Sequence, residues 1–355
     1  MHEIVAVEHY SDSLDSMAGV EFYSGVLCAG FVNAHSHLEL AYLKGAIAER
    51  GGFATFAESM GRVRGAFSAE ERYAAIAEAD SAMWQEGVDV VGDIVNGATS
   101  FATKAASKIH YHSFVEVFGL RECNLERQRE ILNYPNTSLT PHSIYSVQDT
   151  PFREVCQADG DKPLSIHFME SADEALLYRG EGSLHEWYEK VGFRCDFLHY
   201  GSPSERIVAC VPSNRRLLLV HNCAISEQDI ELVNNHFTTP VSWVLCPRSN
   251  SYISGIEPQS VELLRSCGTN INICIGTDSL ASNWSLSMVE ELKMFRNIPL
   301  AELLQWATIN GAKALGIDDK YGTLEVGKRS GVVNITGIDL TTFILTPETK
   351  AKRIL

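Results

Sequence analysis

Residues 30–37, Gly-Phe-Val-Asn-Ala-His-Ser-His, decide the fold class of this chain. The stretch begins with apolar side chains and ends on His35 and His37. In an extended chain, residues i and i+2 point the same way, so both imidazoles face one site. The stretch therefore predicts a strand over residues 31–36 with two candidate ligands at its carboxyl end.

Seven further apolar, β-branched runs follow, and longer amphipathic stretches separate them. They predict strands over residues 88–94, 110–118, 137–142, 163–168, 217–222, 241–246 and 271–277. Eight such units predict a parallel sheet closed into a (β/α)8 barrel over residues 28–317, since this fold needs about 250 residues. A doubly wound open sheet would show the same alternation, so periodicity alone leaves both architectures open.

The two ends of the chain differ from its middle. Residues 1–27 and 318–355 are short strand-like pieces broken by Gly, Ser or Asp, which predicts one small β domain built from both termini. Only 27 residues precede the barrel, so we expect either a reduced domain or a missing upstream segment. The clearest helix pattern covers residues 300–315 and ends at Gly316.

The amino-acid composition limits which molecules the protein could bind. The 355 residues include 45 acidic and 29 basic side chains, and the net charge of −16 repels nucleic acid and acidic lipid headgroups. Nine cysteines without a Cys-x-x-Cys pair indicate neither a zinc ribbon nor a disulfide framework. With no signal-peptide pattern and no apolar stretch of membrane length, we expect a cytoplasmic protein with a small-molecule substrate. The chain could form a homo-oligomer.

Polar side chains stand at the ends of several predicted strands. His167, His221 and Asp278 each follow an apolar run, as His35 and His37 do. In a parallel barrel, all these positions lie at the carboxyl end, where the functional face is found. A single strand-end histidine is usually structural, but this repetition predicts a metal site. Imidazole and carboxylate together suit zinc, with iron as the second choice.

These residues, in this order, resemble the amidohydrolase superfamily. The resemblance spans about residues 28–333 and includes the entry motif at 30–37. The other matching motifs are Pro141-His142-Ser143, His167 with Glu170, Ser249-Asn250, Gly276-Thr277-Asp278, the segment 308–316 and the turn 322–328. Ser330-Gly331 departs from the Ala-Asp that usually follows this turn. The resemblance implies a metal-dependent barrel hydrolase.

Within the superfamily, the pattern is similar to the branch that deaminates nucleobases and nucleosides, such as cytosine, adenosine and adenosylhomocysteine deaminases. His167-x-x-Glu170 matches its proton-shuttle signature, and residues 138–147 contain no lysine that could bridge two metal ions. One ion is therefore expected. The amino-acid sequences of segments 37–40 and 277–283 resemble those of predicted aminodeoxyfutalosine deaminases and their relatives.

The resemblance also implies roles for individual residues. His35, His37, His167 and Asp278 would hold the ion, and Asp278 would accept the proton of the attacking water. His221 would orient that water. Glu170 would protonate the ring nitrogen beside the attacked carbon and help ammonia to leave.

Residues on the substrate side are expected at His142, Arg248, Glu39 and Ser279. His142 would touch the heterocycle, Arg248 would bind a substrate carboxylate and Glu39 would bond a ribose hydroxyl. Three of them have a structural alternative: a structural strand-end role for His142, a solvated loop arginine paired with a local acid for Arg248, and a cap of the following turn for Glu39. The connection 39–65 resembles a lid, although its aromatics, Phe53 and Phe56, could simply pack. Trp187 is expected to pack in the core or on a helix.

Two further functions stay open at this point. A hydrolase of the same superfamily that acts on a chlorotriazine, a cyclic amidine or an amide would use the same ligands. A non-catalytic binding member would usually have lost them, whereas the full set is present here.

Overall fold

Eight parallel strands form the centre of the molecule in the computed structural model, which describes residues 3–9, 19–158, 160–258, 260–268 and 270–355. These strands are β2 (Phe31–Ser36), β3 (Val88–Val95), β4 (His110–Val117), β5 (Thr137–Pro141), β6 (Leu164–Phe168), β7 (Leu217–His221), β8 (Val241–Leu245) and β9 (Ile271–Ile275). The remaining strands of the described chain are β1 (Val26–Ala29), β10 (Val332–Thr336) and β11 (Lys350–Arg353).

The sheet closes on itself. Two four-stranded halves, β2-β3-β4-β5 and β6-β7-β8-β9, meet through parallel bridges between Ser36 and Asp278 and between Ser143 and His167. At the first seam, the backbone N–H groups of Thr277 and Asp278 donate to the His35 carbonyl. The predicted (β/α)8 barrel is confirmed, and the open sheet is excluded. Both seams lie at ligand-bearing strand ends, so barrel closure also brings those ends together.

Helices surround the barrel and begin where the sequence offers caps. Ser68, for example, forms a reciprocal capping box with Glu71 at the start of the second helix. The helices are α1 (Phe53–Val63), α2 (Ala69–Gln85), α3 (Phe101–Ala106), α4 (Leu125–Arg129), α5 (Asp149–Gln157), α6 (Ala172–Tyr178), α7 (Gly182–Val191), α8 (Pro203–Cys210), α9 (Glu227–His236), α10 (Pro247–Ser254), α11 (Ser260–Ser266), α12 (Met288–Leu292), α13 (Leu300–Ala307) and α14 (Ile309–Leu315).

The predicted single helix over residues 300–315 is wrong, because Thr308 divides it into α13 and α14. The Thr308 hydroxyl donates to the Leu304 carbonyl at 2.6 Å, and its backbone leaves the helical region with φ −134° and ψ −93°. The break turns α14 against the barrel, where Gly311 packs on Val32 so closely that a Cβ would lie 2.8 Å from its side chain. Gly316 ends α14 in a left-handed conformation, as predicted.

The barrel interior is a dry core. Val32, Val90, Phe114, Leu218 and Val244 are fully buried in one apolar cluster inside the strands. Burying each such side chain contributes about 1.5–3 kcal/mol relative to leaving it exposed. The strand ends above this layer therefore stand on a close-packed, rigid base.

Segments near both ends of the chain form a separate three-stranded antiparallel sheet in the order β1-β10-β11. It is anchored to the barrel by Arg353, which pairs with Asp89 at 2.7 Å and lies over the Trp84 ring. The N–H of Gly331 donates to the same carboxylate, and a Cβ at Gly331 would collide with Arg353. Of the predicted small domain, residues 1, 2 and 10–18 lie outside the described residues, and the domain division stays a prediction.

Two further observations concern the whole described chain. None of its helices is both long and apolar enough to cross a lipid bilayer. The nine cysteines all fall within the described ranges and are free thiols.

Candidate active site

Three strand ends bring the four predicted ligands together at the carboxyl face of the barrel. His35 lies in β2, His37 directly follows it, His167 lies in β6 and Asp278 comes three residues after β9. All four are at most 8% exposed. The parallel arrangement of the strands places these sequence-distant side chains around one point.

The ligand atoms converge on one point, with neighbouring atoms 3.2–3.7 Å apart. The Nε2 atom of His37 lies 3.2 Å from Nε2 of His35 and 3.3 Å from Nε2 of His167. Oδ1 of Asp278 lies 3.3 Å from Nε2 of His37 and 3.7 Å from Nε2 of His35. These four residues are called the ligand cluster below.

Hydrogen bonds around the ligand cluster orient its members. Nδ1 of His167 donates to the His142 carbonyl at 2.7 Å, which leaves its Nε2 lone pair directed at the cluster. The other carboxylate oxygen of Asp278, Oδ2, accepts from the hydroxyls of Ser249 and Ser282. The remaining oxygen, Oδ1, is therefore free to face the histidines.

Burial sets the protonation states of the ligand cluster. It lowers the pKa of His37 to about 3 and that of His167 well below its ordinary value, so the imidazoles are neutral at pH 7. Burial opposes ionisation of Asp278, but the hydrogen bond from His35 and the neighbouring His37 and His221 hold its pKa well below the usual range. Neutral imidazoles with an ionised carboxylate are the states that metal binding requires.

The donor set fits a divalent cation. Among the described residues, His35, His37 and His167 form a group whose nitrogen atoms could share one ion, and Asp278 adds a carboxylate oxygen to it. Three imidazoles and one carboxylate are ligands that zinc accepts, with room for a water or substrate. The ligand cluster is thus a candidate metal centre.

Glu170 and His221 stand beside the ligand cluster. Oε2 of Glu170 lies 3.8 Å from Nε2 of His221, while Nδ1 of His221 donates to the side-chain oxygen of Asn250 at 3.0 Å. Burial raises the pKa of Glu170, with His221 opposing the shift and Asp278 adding to it. A carboxyl with a raised pKa next to an oriented imidazole is suited to proton transfer.

Strained backbone occurs at these same strand ends. Met169, His221, Asn222 and Asp278 adopt positive φ values of 50°, 81°, 59° and 54°. Such conformations are unfavourable for residues with a Cβ and persist where the surrounding structure imposes them. The turns after β6, β7 and β9 therefore hold their polar side chains in fixed directions.

A cavity of about 390 Å³ opens above the ligand cluster. Its floor contains His37, His167, Glu170, His221 and Asp278. Its walls are largely apolar and aromatic, formed by Leu40, Phe53, Phe56, Met60, Phe118, Tyr145, Leu184, Trp187, Tyr188 and Phe193. A polar floor under apolar walls is the usual construction of a small-molecule site, and the volume lies in the usual range of about 300–1,000 Å³.

Comparison with known proteins agrees with this geometry. Residues 26–337 match the amidohydrolase family. The chain belongs to this family. This amidohydrolase is a hydrolase that acts on carbon–nitrogen bonds other than peptide bonds.

Individual relatives are deaminases. This amidohydrolase is 28% identical over 329 residues to an adenosine deaminase of Helicobacter pylori, covering 87% of this chain and 78% of the relative. It superimposes on the crystal structure of H. pylori aminofutalosine deaminase in complex with methylthio-coformycin, with TM-score 0.81, 28% identity and coverage of 95% and 86%. An adenosine deaminase from Xanthomonas campestris with bound zinc gives TM-score 0.70, 25% identity and coverage of 88% and 72%.

Of the four substrate-side residues expected from the sequence, two line the cavity of this amidohydrolase. They are His142 and Ser279. Glu39 is not one of the lining residues; its Oε1 accepts from the backbone N–H of Asn96, which does line the cavity. Arg248 does not line it either, because its guanidinium bonds Ser285 and lies over the Trp284 ring. Direct substrate contacts by Glu39 and Arg248 stay predictions.

Three cavity residues were not expected to have a functional role from the sequence. Glu116 lies in β4, Arg64 follows α1, and Trp187 lies in α7 with 47% of its surface exposed. Trp187 packs on the rings of Tyr188 and Phe193, as expected of a helix residue, and it also lines the cavity. An acid in the apolar second half of β4 was the available signal for Glu116; no comparable signal distinguishes Arg64 or Trp187.

Proposed function

We propose that this amidohydrolase is a metal-dependent deaminase that replaces an exocyclic amine of a purine-like base or nucleoside with a carbonyl oxygen, releasing ammonia. The observation that carries the proposal is the position of Glu170 and His221 beside the ligand cluster on the floor of one cavity. That floor contains ligands for an ion, a proton donor and an orienting imidazole in a single place.

His35, His37, His167 and Asp278 would hold one Zn²⁺, with Fe²⁺ as the alternative. When bound, zinc would supply Lewis acidity and would lower the pKa of the attacking water toward about 7. The single-ion assignment is supported by the β5 segment, where residues 138–147 contain no lysine that could join a second ion.

Residues of the chain then carry out the proton transfers, each with a separate role. Asp278 accepts a proton from the attacking water, and its Oδ2 is held in place by two serine hydroxyls. His221, whose Nδ1 donates to Asn250, presents its Nε2 as an acceptor and orients that water. Glu170 protonates the ring nitrogen next to the attacked carbon, which makes that carbon electrophilic. The proton held by Asp278 then passes to the amine, and the C–N bond breaks to release ammonia. The hydroxyl added to the carbon returns its proton to Glu170 as the C=O bond forms, which restores the Glu170 carboxyl.

The cavity supports a nucleoside-sized substrate more than a bare base. Its aromatic walls extend from the floor to α1 and α7, which gives space beyond a single heterocycle. One similar solved structure is an aminofutalosine deaminase, and an adenosine deaminase is among the similar sequences. A 5′-substituted adenosine, such as aminodeoxyfutalosine, is therefore the substrate class that we favour.

Ammonia release is the direct test. Zinc-loaded protein should release ammonia from adenosine or a 5′-substituted adenosine, and Glu170→Gln should remove most turnover while retaining the metal. Full activity of the variant would contradict the role of Glu170. A panel that also contains adenine, guanine, cytosine, a chlorotriazine and a cyclic amidine distinguishes deamination of nucleosides from the other targets within the superfamily.

The site draws all of its proposed residues from one chain, so a homo-oligomer would not be required to complete it. The net charge of −16 argues against a nucleic acid or an acidic membrane surface as a partner. Nine free thiols are typical of a reducing compartment, and we accordingly assign the protein to the cytoplasm.

A further inference from the structure

Glu116 is a buried acid on the wall of the active-site cavity that the proposed deamination does not use. It is 3% exposed and lies in β4, on the side of the cavity next to His142. Its Oε1 atom is buried without a hydrogen-bond partner among the described residues. An unpaired carboxylate oxygen in such a place is costly, unless a ligand supplies the missing hydrogen bond.

The rest of Glu116 is held firmly. Its Oε2 accepts from the side-chain amide of Asn96 at 2.8 Å, and its backbone carbonyl accepts from the Gln128 amide at 2.6 Å. The backbone N–H of Asn96 in turn donates to Glu39 at 3.0 Å. Glu39 and Asn96 are thus positioning residues that fix one oxygen of Glu116 and leave the other available.

His167 does not supply the missing bond. Its Nδ1 lies 3.7 Å from Oε1 of Glu116, too far for a hydrogen bond, and already donates to the His142 carbonyl at 2.7 Å. The orientation of this metal ligand is therefore explained without Glu116, and the free oxygen needs a different donor.

We propose that Glu116 accepts a hydrogen bond from one of the vicinal hydroxyls of the substrate's sugar, and that it makes the enzyme selective for ribonucleosides. The inference rests on the proposed function, because the heterocycle must first lie over the ligand cluster. A sugar attached to that heterocycle extends along the cavity wall and carries the O–H donor that the carboxylate lacks. Glu116 then performs the task that the sequence suggested for Glu39.

The test compares adenosine with 2′,3′-dideoxyadenosine, which differ only in the two hydroxyls. Zinc-loaded wild-type protein should show kcat/KM at least roughly tenfold higher for adenosine, since a site that hydrogen-bonds a hydroxyl rejects an analogue without it. In Glu116→Gln this ratio should fall toward one, and Glu116→Asp should give an intermediate ratio. Glu130→Gln, at an exposed position, is the matched control and should keep the wild-type ratio.

Two accompanying measurements separate the possible outcomes. Calorimetric binding of both nucleosides reports the same discrimination without turnover, and the zinc content of each variant reports the ligand cluster. An unchanged ratio in Glu116→Gln, or no wild-type discrimination, would overturn the inference while deamination of adenosine stands. Loss of zinc in Glu116→Gln with an unchanged ratio would show that Glu116 acts through His167. Absence of both turnover and binding of adenosine would overturn the proposed function together with the inference.

Discussion

The carboxylate of Glu174 accepts a hydrogen bond from the backbone N–H of Glu170 at 2.8 Å. It also accepts the N–H groups of Met169 and Ser171, so it holds the whole turn between β6 and α6. Met169 lies in the left-handed region in this turn. A residue outside the cavity therefore fixes the direction of the proposed proton donor.

Glu174→Gln should lower kcat by roughly tenfold, equivalent to about 1.4 kcal/mol of barrier, with little change in zinc content. Glutamine keeps only one acceptor oxygen, so at least one of the three N–H groups loses its partner and Glu170 shifts. Steady-state kinetics together with metal analysis checks this expectation. Loss of zinc in parallel with kcat would instead indicate a general collapse of the site.

Arg64 should discriminate between substrates by charge. Among the described residues that line the cavity, it is the one lysine or arginine. Arg64→Met should lower kcat/KM for aminodeoxyfutalosine, which carries a carboxylate, by roughly tenfold, because a charge-assisted hydrogen bond is lost. In the same variant, kcat/KM for 5′-methylthioadenosine, which carries no carboxylate, should change less than about threefold. Arg62→Met, two residues earlier outside the cavity lining, is the control, and equal losses on both substrates would refute the assignment.

Gly276 should be essential to the position of His35. A Cβ at this glycine would lie 2.8 Å from the His35 Cβ and 2.9 Å from its carbonyl oxygen. Gly276→Ala should therefore lower the free energy of unfolding by about 1–3 kcal/mol and weaken zinc binding. Gly61→Ala is the matched control, because it also replaces a glycine, in α1, but its Cβ would meet nothing within 4 Å. Chemical denaturation and zinc titration should separate the two variants, and equal stability would contradict the packing argument.

The strands and ligand positions were predictable because their signals are contiguous. Each barrel strand is a short apolar run. Its last residues lie at the carboxyl face of the barrel, and this position does not depend on how the surrounding helices pack. Barrel closure alone then brings His35, His37, His167 and Asp278 together, as the sequence suggested.

The cavity walls were harder to predict because side-chain direction depends on tertiary contacts. Glu39 comes two residues after a ligand in sequence, but its carboxylate accepts from the backbone N–H of Asn96, and Asn96 rather than Glu39 lines the cavity. Arg248 follows β8, but it stacks on Trp284. The apolar pattern over residues 300–315 likewise does not reveal that the Thr308 hydroxyl bonds back to Leu304 and breaks the helix.

His112 should make the protein less stable in acid. Burial, with smaller contributions from His110, Lys162 and Lys104, lowers the pKa of His112 to about 3 from 6.5. Between these values the unfolded chain binds the proton and the folded chain does not, so the free energy of unfolding falls as the pH drops below 6.5. When the pH falls from 7.5 to 5, the free energy of unfolding should decrease in both proteins. The decrease should be about 1–2 kcal/mol smaller in His112→Gln than in the wild type. Identical pH profiles from urea unfolding would contradict this assignment.

The central claim is that His35, His37, His167 and Asp278 hold a metal ion on which deamination depends. Ammonia release from adenosine, followed as purified protein is stripped with a chelator and then titrated with zinc, tests it most directly. Removal of the metal should abolish ammonia release, and activity should recover fully when one zinc ion per chain has been added back. Undiminished activity in protein shown to be free of metal would contradict it.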